Sequence, residues 1–136
     1  MGKAMAKTVA GSIVRFAEFQ GKDQVEEMPK GARGIYVLYD HQGDSFDVVY
    51  VGLSKTGMRI RLLRHRQSRE KSSVWTHFSV FQVHDHISNA QINELEGLFR
   101  QIYRRDSRAN RLNKQKTHGP LKRVRMNNLA EWPGRR

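Results

Sequence analysis

Two short runs restrict how this chain can fold more than anything else in it. GIYVLYD at 34–40 and VVYVG at 48–52 are β-branched and aromatic, and between them lies the polar stretch DHQGDSF with Gly43 inside it. Runs of that make-up, bounded by turn residues, predict two strands joined as a hairpin with an irregular loop. Their near-continuous apolarity predicts burial on both faces. WTHFSVFQV at 75–83 reads as a third strand. Three helices are predicted around these strands. Val9, Ile13, Phe16 and Ala17 recur at helical spacing within 8–20. A basic segment over 57–66 turns Met58, Leu62 and Leu63 inward. From Asn89 to Tyr103, Ser88 and Gln91 form a capping box, and Ile92, Leu95, Leu98, Phe99, Ile102 and Tyr103 form an apolar stripe. The expected fold is a small α+β domain: a three-stranded antiparallel sheet flanked by helices, with an N-terminal helix within 1–30 and a basic C-terminal tail over 116–136. Leu121, Leu129 and Trp132 are the tail's candidate anchors.

Charge narrows the function. The 136 residues carry 25 Lys and Arg against 13 Asp and Glu, a net of +12. The excess is uneven: residues 1–52 sum to −1 (6 basic, 7 acidic), 53–99 to +3 (7 and 4), and 100–136 to +10 (12 and 2). A field of one sign on part of a surface attracts polyanions, nucleic acid above all. There is no cysteine, which removes disulfide frameworks, thiol nucleophiles and thiolate-held metals from consideration. No apolar run approaches the roughly 20 residues a membrane span needs, so no membrane contact is expected. The opening residues lack the pattern of a secretory signal, because Arg15 interrupts the apolar stretch, and a cytoplasmic protein is expected.

Several side chains could carry chemistry. On a helical wheel Glu96 falls about 40° from Ile92, on the rim of the apolar stripe, where a carboxylate can hold a hard cation together with phosphate oxygens and water. The same carboxylate could instead pair with Arg100 one turn on. Tyr36 and Tyr50 fall on adjacent strands and could orient a water or accept its proton, although buried tyrosines in sheets are more often packing residues with satisfied hydroxyls. An unperturbed phenol is a poor base at neutral pH, so a cation would have to lower its pKa. Arg61 and His65, four apart, share a helix face suited to phosphate contact and proton transfer, or simply to solvation. The HDH at 84–86 reads as a polar turn.

Taken in order, Gly34-Ile35-Tyr36, Tyr50-Val51-Gly52, Arg61 with His65, Glu96 on a helix and a late asparagine resemble the GIY-YIG nuclease family. The resemblance covers about residues 31–115. It implies a metal-dependent endonuclease that hydrolyses DNA phosphodiesters, with Mg²⁺ or Mn²⁺ held by Glu96. It further implies that Tyr36 helps activate the attacking water with Tyr50 close by, that Arg61 stabilises charge on the phosphate, and that His65 assists proton movement. Gly34 and Gly52 would support the site, and Asn113 (or Asn110) would stand for the late structural asparagine. Lys55, Arg59, Arg64, Arg104, Arg105, Arg108, Arg111 and Lys114 would contact the backbone of the DNA partner, which includes branched or damaged forms. The alternative is a catalytically inactive module on the same scaffold that binds structured RNA or a ribosome.

Overall fold

The computed structural model describes residues 11–68, 72–105 and 124–135. Its centre is an antiparallel sheet of four strands: β1 (Ile13–Gly21), β2 (Gly34–Gln42), β3 (Ser45–Ser54) and β4 (His77–Val83), in the order β1-β4-β2-β3. Helix α1 (Met58–Gln67) leads from β3 towards β4, and α2 (Asn89–Arg105) follows β4. The α+β class stands; the three-stranded sheet does not, and the helix expected over 8–20 is replaced from Ile13 onward by β1.

The fourth strand is the segment expected to be helical, and its bulges explain the difference. Ile13 pairs with Val83 and Arg15 with Gln82, so two steps on β1 match one on β4. That extra residue keeps Ile13 and Phe16 on one face at a spacing of three, while Ala17 turns to the other face. A bulged strand therefore copies the i, i+3, i+4 pattern of a helix. A second irregularity between Ala17 and Gln20 places Phe19 at φ 53°, and its N–H donates to Ser79 Oγ at 3.0 Å.

Both faces of the sheet are covered. Ile35, Val37, Tyr39 and Val51 on one face pack with Ile92, Leu95 and Phe99 of α2. Tyr36, Leu38, Phe78 and Val80 on the other pack with Met58 and Leu62 of α1. Central β2 is accordingly buried from Gly34 to Tyr39. Edge strand β3 is not: a bulge between the Leu38–Tyr50 and Tyr39–Val48 pairs turns Val49 (42% exposed) and Tyr50 (41%) outward. Burial on both faces thus holds for the first run and fails for the second. The loop between them is tighter than expected. Gln42 pairs with Ser45, leaving a two-residue turn with Gly43 at φ 59°, as a glycine in first position allows.

The C-terminal segment is part of the core. Phe16 N–H donates to Val124 O (3.0 Å) and Met126 N–H to Phe16 O (2.8 Å), so the chain returns beside β1. Leu129 and Trp132 are buried, and Trp132 Nε1 donates to Met126 O at 2.8 Å. Burying each contributes about 1.5–3 kcal/mol. Leu121 lies outside the described residues. No helix among the described residues is long and apolar enough to cross a membrane.

Helix α2 starts with the expected reciprocal cap: Gln91 N–H donates to Ser88 Oγ (3.1 Å) and Ser88 N–H to Gln91 Oε1 (2.8 Å). Its Gly97 is exposed, and a Cβ built there meets nothing within 4 Å. Glycine inside a helix costs about 0.5–1 kcal/mol relative to alanine. Gly97→Ala should therefore raise Tm by about 2–5 °C in a thermal melt. A fall in Tm would mean that the helix surface at 97 is not open.

Candidate functional site

The site begins at a bare backbone position. Gly52 on β3 pairs with Tyr36 on β2, so the Tyr36 ring lies over the place where a side chain at 52 would stand. A Cβ at Gly52 would come within 2.6 Å of Tyr36 Cζ, Tyr36 Oη and Tyr50 Cε2. Tyr50 pairs with Leu38, two residues along, and so projects from the same face as Tyr36. The two phenol rings have centroids 6.0 Å apart.

Helix α1 closes this face and brings the imidazole. Ser54 Oγ sets where the helix starts: it accepts from Gly57 N–H (2.8 Å) and donates to Gly57 O (2.7 Å), fully buried. Met58 N–H then donates to Ala32 O, fastening the first turn to the entry of β2. Two turns on, His65 Nε2 lies 3.0 Å from Tyr36 Oη, and the ring packs against Tyr50 with centroids 4.9 Å apart. Trp75 Nε1 donates to His65 O at 3.4 Å, tying the end of the helix to the start of β4.

Two charges complete the setting. Arg61, exposed on α1, favours ionisation of the Tyr36 hydroxyl, and Glu96, on α2 across the sheet, opposes it. Burial outweighs both: desolvation first, then the neighbouring Tyr50 phenol, push Tyr36 well above the ordinary phenol value of 10. The cation that would have to lower this pKa is present in Arg61 and is overridden. Glu96 is half-buried and forms an ion pair with Arg100 one turn on, at 3.1 Å. Among the described residues no three His, Asp or Glu side chains gather as a metal cluster. A cation here would rest on one carboxylate and leave its other positions to water and phosphate oxygens, which is an ordinary way for Mg²⁺ to bind. The donor set at Glu96 fits such an ion.

Of the residues singled out from sequence, His65 and Tyr50 pack against Tyr36, while Arg61 and Glu96 act on its ionisation through their charge alone. Gly34 does a different job, because a Cβ there would lie 1.9 Å from Phe81 O on β4. It holds two backbones together and does not line the phenols. Lys55 and Arg64 are exposed; Arg59 is half-buried, with its Nε buried and without a hydrogen-bond partner among the described residues. The backbone of Arg104 and Arg105 ends α2. Asn113, Asn110, Arg108, Arg111 and Lys114 lie outside the described residues.

Sequence reading missed Ser54 and Arg33. Arg33 donates to Lys55 O (3.2 Å), Ile87 O (2.7 Å) and Asn89 Oδ1 (3.3 Å), so one guanidinium fastens the loop before α1 to the start of α2. The available signal for Ser54 was its place three residues ahead of a helix-opening glycine. An arginine immediately before a buried strand carries no comparable signal.

Three phenols, Tyr36 and Tyr39 buried and Tyr103 partly so, tie stability to alkaline pH. Burial raises Tyr36, Tyr39 and Tyr103 above the ordinary value of 10. Unfolded phenols ionise near that pH while folded ones stay protonated, so their contribution is full below pH 10 and lost above it. Each steepens the loss by about 1.4 kcal/mol per pH unit. Denaturant unfolding should give a stability flat from pH 8 to 9.5 and falling above pH 10, and Tyr36→Phe should shrink that slope by about one third. A flat profile to pH 11 would refute the burial argument. Comparison with known proteins finds no family model that matches this chain and no curated protein that it matches.

Proposed function

We propose that this chain is a divalent-metal-dependent endonuclease that hydrolyses phosphodiester bonds of DNA. The observation that carries the proposal is the packing of one imidazole and a second phenol against Tyr36, with one guanidinium and one carboxylate near enough to act on its ionisation; with Tyr36 itself the set draws on four elements of the fold. Uncatalysed phosphodiester cleavage is extremely slow, so a site needs an aimed water, a path for its proton and neutralised charge together.

Each need has a candidate. Tyr36 remains a phenol at neutral pH, so it acts as a relay and not as a free phenolate base. With His65 Nε2 unprotonated the Tyr36 hydroxyl donates to it, and as it gives up that proton it takes one from the attacking water. The oxygen–phosphorus bond forms while the bond to the leaving oxygen breaks, and that oxygen takes up a proton from solvent. Tyr50, 41% exposed, reaches further out and steers the water or a phosphate oxygen. Arg61 neutralises charge on the phosphate. Mg²⁺ or Mn²⁺ on Glu96 would supply charge neutralisation at the same phosphate. Lys55 and Arg64 hold the flanking backbone.

One observation favours the second reading, a binding module without turnover: Glu96 is already satisfied by Arg100. Incubating purified protein with supercoiled plasmid and Mg²⁺ or Mn²⁺ separates the two. Conversion to nicked circles that needs the cation supports the nuclease; retention of the plasmid in stable complexes without nicking supports the binding module.

A further inference from the structure

Glu96 and Arg100 stand four apart on α2, carboxylate first, which is the favourable order for an ion pair along a helix. Their surroundings differ. The Glu96 side chain is 19% exposed and the Arg100 side chain 58%. The Glu96 side chain lies mostly out of solvent, whereas that of Arg100 lies mostly in it. Of the two, Arg100 is the freer to leave.

A divalent cation and a guanidinium compete for the same carboxylate lone pairs, and they repel each other. A divalent cation on the carboxylate turns the net charge there positive, so the guanidinium loses its attraction to Glu96 and meets repulsion in its place, which favours its release. A freed guanidinium beside a bound phosphodiester has an obvious next partner, because its forked donors match phosphate oxygens. We infer that Arg100 is an exchangeable counter-ion: it holds Glu96 while the metal is absent, yields the carboxylate when the cation binds, and turns to a backbone phosphate of the DNA. This rests on the nuclease reading above and adds to it a residue that couples metal loading to substrate grip.

Mn²⁺ titrated into the intact protein at low salt, followed by its electron paramagnetic resonance signal, tests the first half. Arg100→Gln should bind Mn²⁺ about two- to fivefold more tightly than wild type, and Arg100→Lys, which keeps the charge, should stay near wild type. Unchanged or weaker Mn²⁺ binding by Arg100→Gln overturns the inference. Glu96→Gln should lose Mn²⁺ binding; if it binds as wild type does, the metal role of Glu96 fails, which is a separate failure from that of Arg100. Duplex binding in EDTA tests the second half without any metal. Arg100→Gln should weaken it by less than about twofold when Glu96 is present, and by about three- to tenfold in a Glu96→Gln background, where the guanidinium is free for phosphate. Equal penalties in the two backgrounds would show that Arg100 never exchanges partners. Arg100 is exposed on a helix, so a melt with Tm close to wild type for each variant confirms that folding is intact.

Discussion

Glu96→Ala is expected to lower plasmid nicking by about 10³-fold or more while leaving the fold and DNA binding in place. The asymmetry follows from where the carboxylate sits. Glu96 lies on the rim of the α2 stripe, and the residues that pack that helix to the sheet are Ile92, Leu95 and Phe99. Removing a rim carboxylate takes away one helical ion pair, worth about 0.3–0.5 kcal/mol, so Tm should move little. It also removes one negative charge and releases the Arg100 guanidinium. Affinity for duplex DNA in EDTA should therefore rise slightly and not merely persist. Gel shift in EDTA, nicking in Mg²⁺ and a thermal melt on one preparation read all three. Nicking that survives the substitution would refute the metal role. Joint loss of nicking, binding and thermal stability would make Glu96 a structural residue.

How much of this was legible depends on which interactions are local. The apolar stripe of α2 and its Ser88–Gln91 cap were readable because both obey fixed spacings within a few residues. The run from Gly34 to Tyr39 was readable because a strand buried on both faces has nowhere to put a polar side chain. β1 was misread because a bulge is written in the pairing and not in the run itself: Ile13 and Phe16 share a face only because Arg15, two residues past Ile13, pairs with the very next residue on β4. Val49 and Tyr50 were misplaced for a related reason, since apolar letters do not say whether a strand lies at the centre or the edge of a sheet.

The site shows the same division. Arg61 and His65 could be placed on one helix face from their spacing alone. The 3.0 Å contact between His65 and Tyr36 depends on how α1 packs on the sheet, which Ser54 and Trp75 decide from outside the helix. Two readings of Glu96 stood open in the sequence, metal ligand or partner of Arg100, and the ion pair is present. The proposed exchange of Arg100 reconciles the two, with the pair holding while metal is absent.

Gly34 and Gly52 looked alike in the sequence, each flanking a tyrosine, yet replacing them should have opposite consequences. At Gly34 the added carbon would meet Phe81 O at 1.9 Å and Gln82 Cα at 3.1 Å, both backbone atoms of a paired strand. Nothing there can rotate away, so β2 and β4 must separate along the centre of the sheet. Gly34→Ala should cost about 3 kcal/mol or more, and the variant should be largely unfolded or insoluble at 37 °C. At Gly52 the atoms in the way are the outer ends of Tyr36 and Tyr50. Both rings can tilt about their side-chain torsions, which moves the Tyr36 hydroxyl off His65 while leaving the β2–β3 pairing intact. Gly52→Ala should therefore fold, lose about 1–3 kcal/mol in denaturant unfolding, and lose about 10²-fold or more in nicking, because a shift near 1 Å at a relay atom is enough to break alignment. Circular dichroism, denaturant unfolding and plasmid nicking on the two variants would distinguish them. A Gly52→Ala protein that is stable and fully active would show that the Tyr36–His65 contact has no part in catalysis. If Gly34→Ala were the one that folds and loses only activity, the assignment of the two glycines would have to be exchanged.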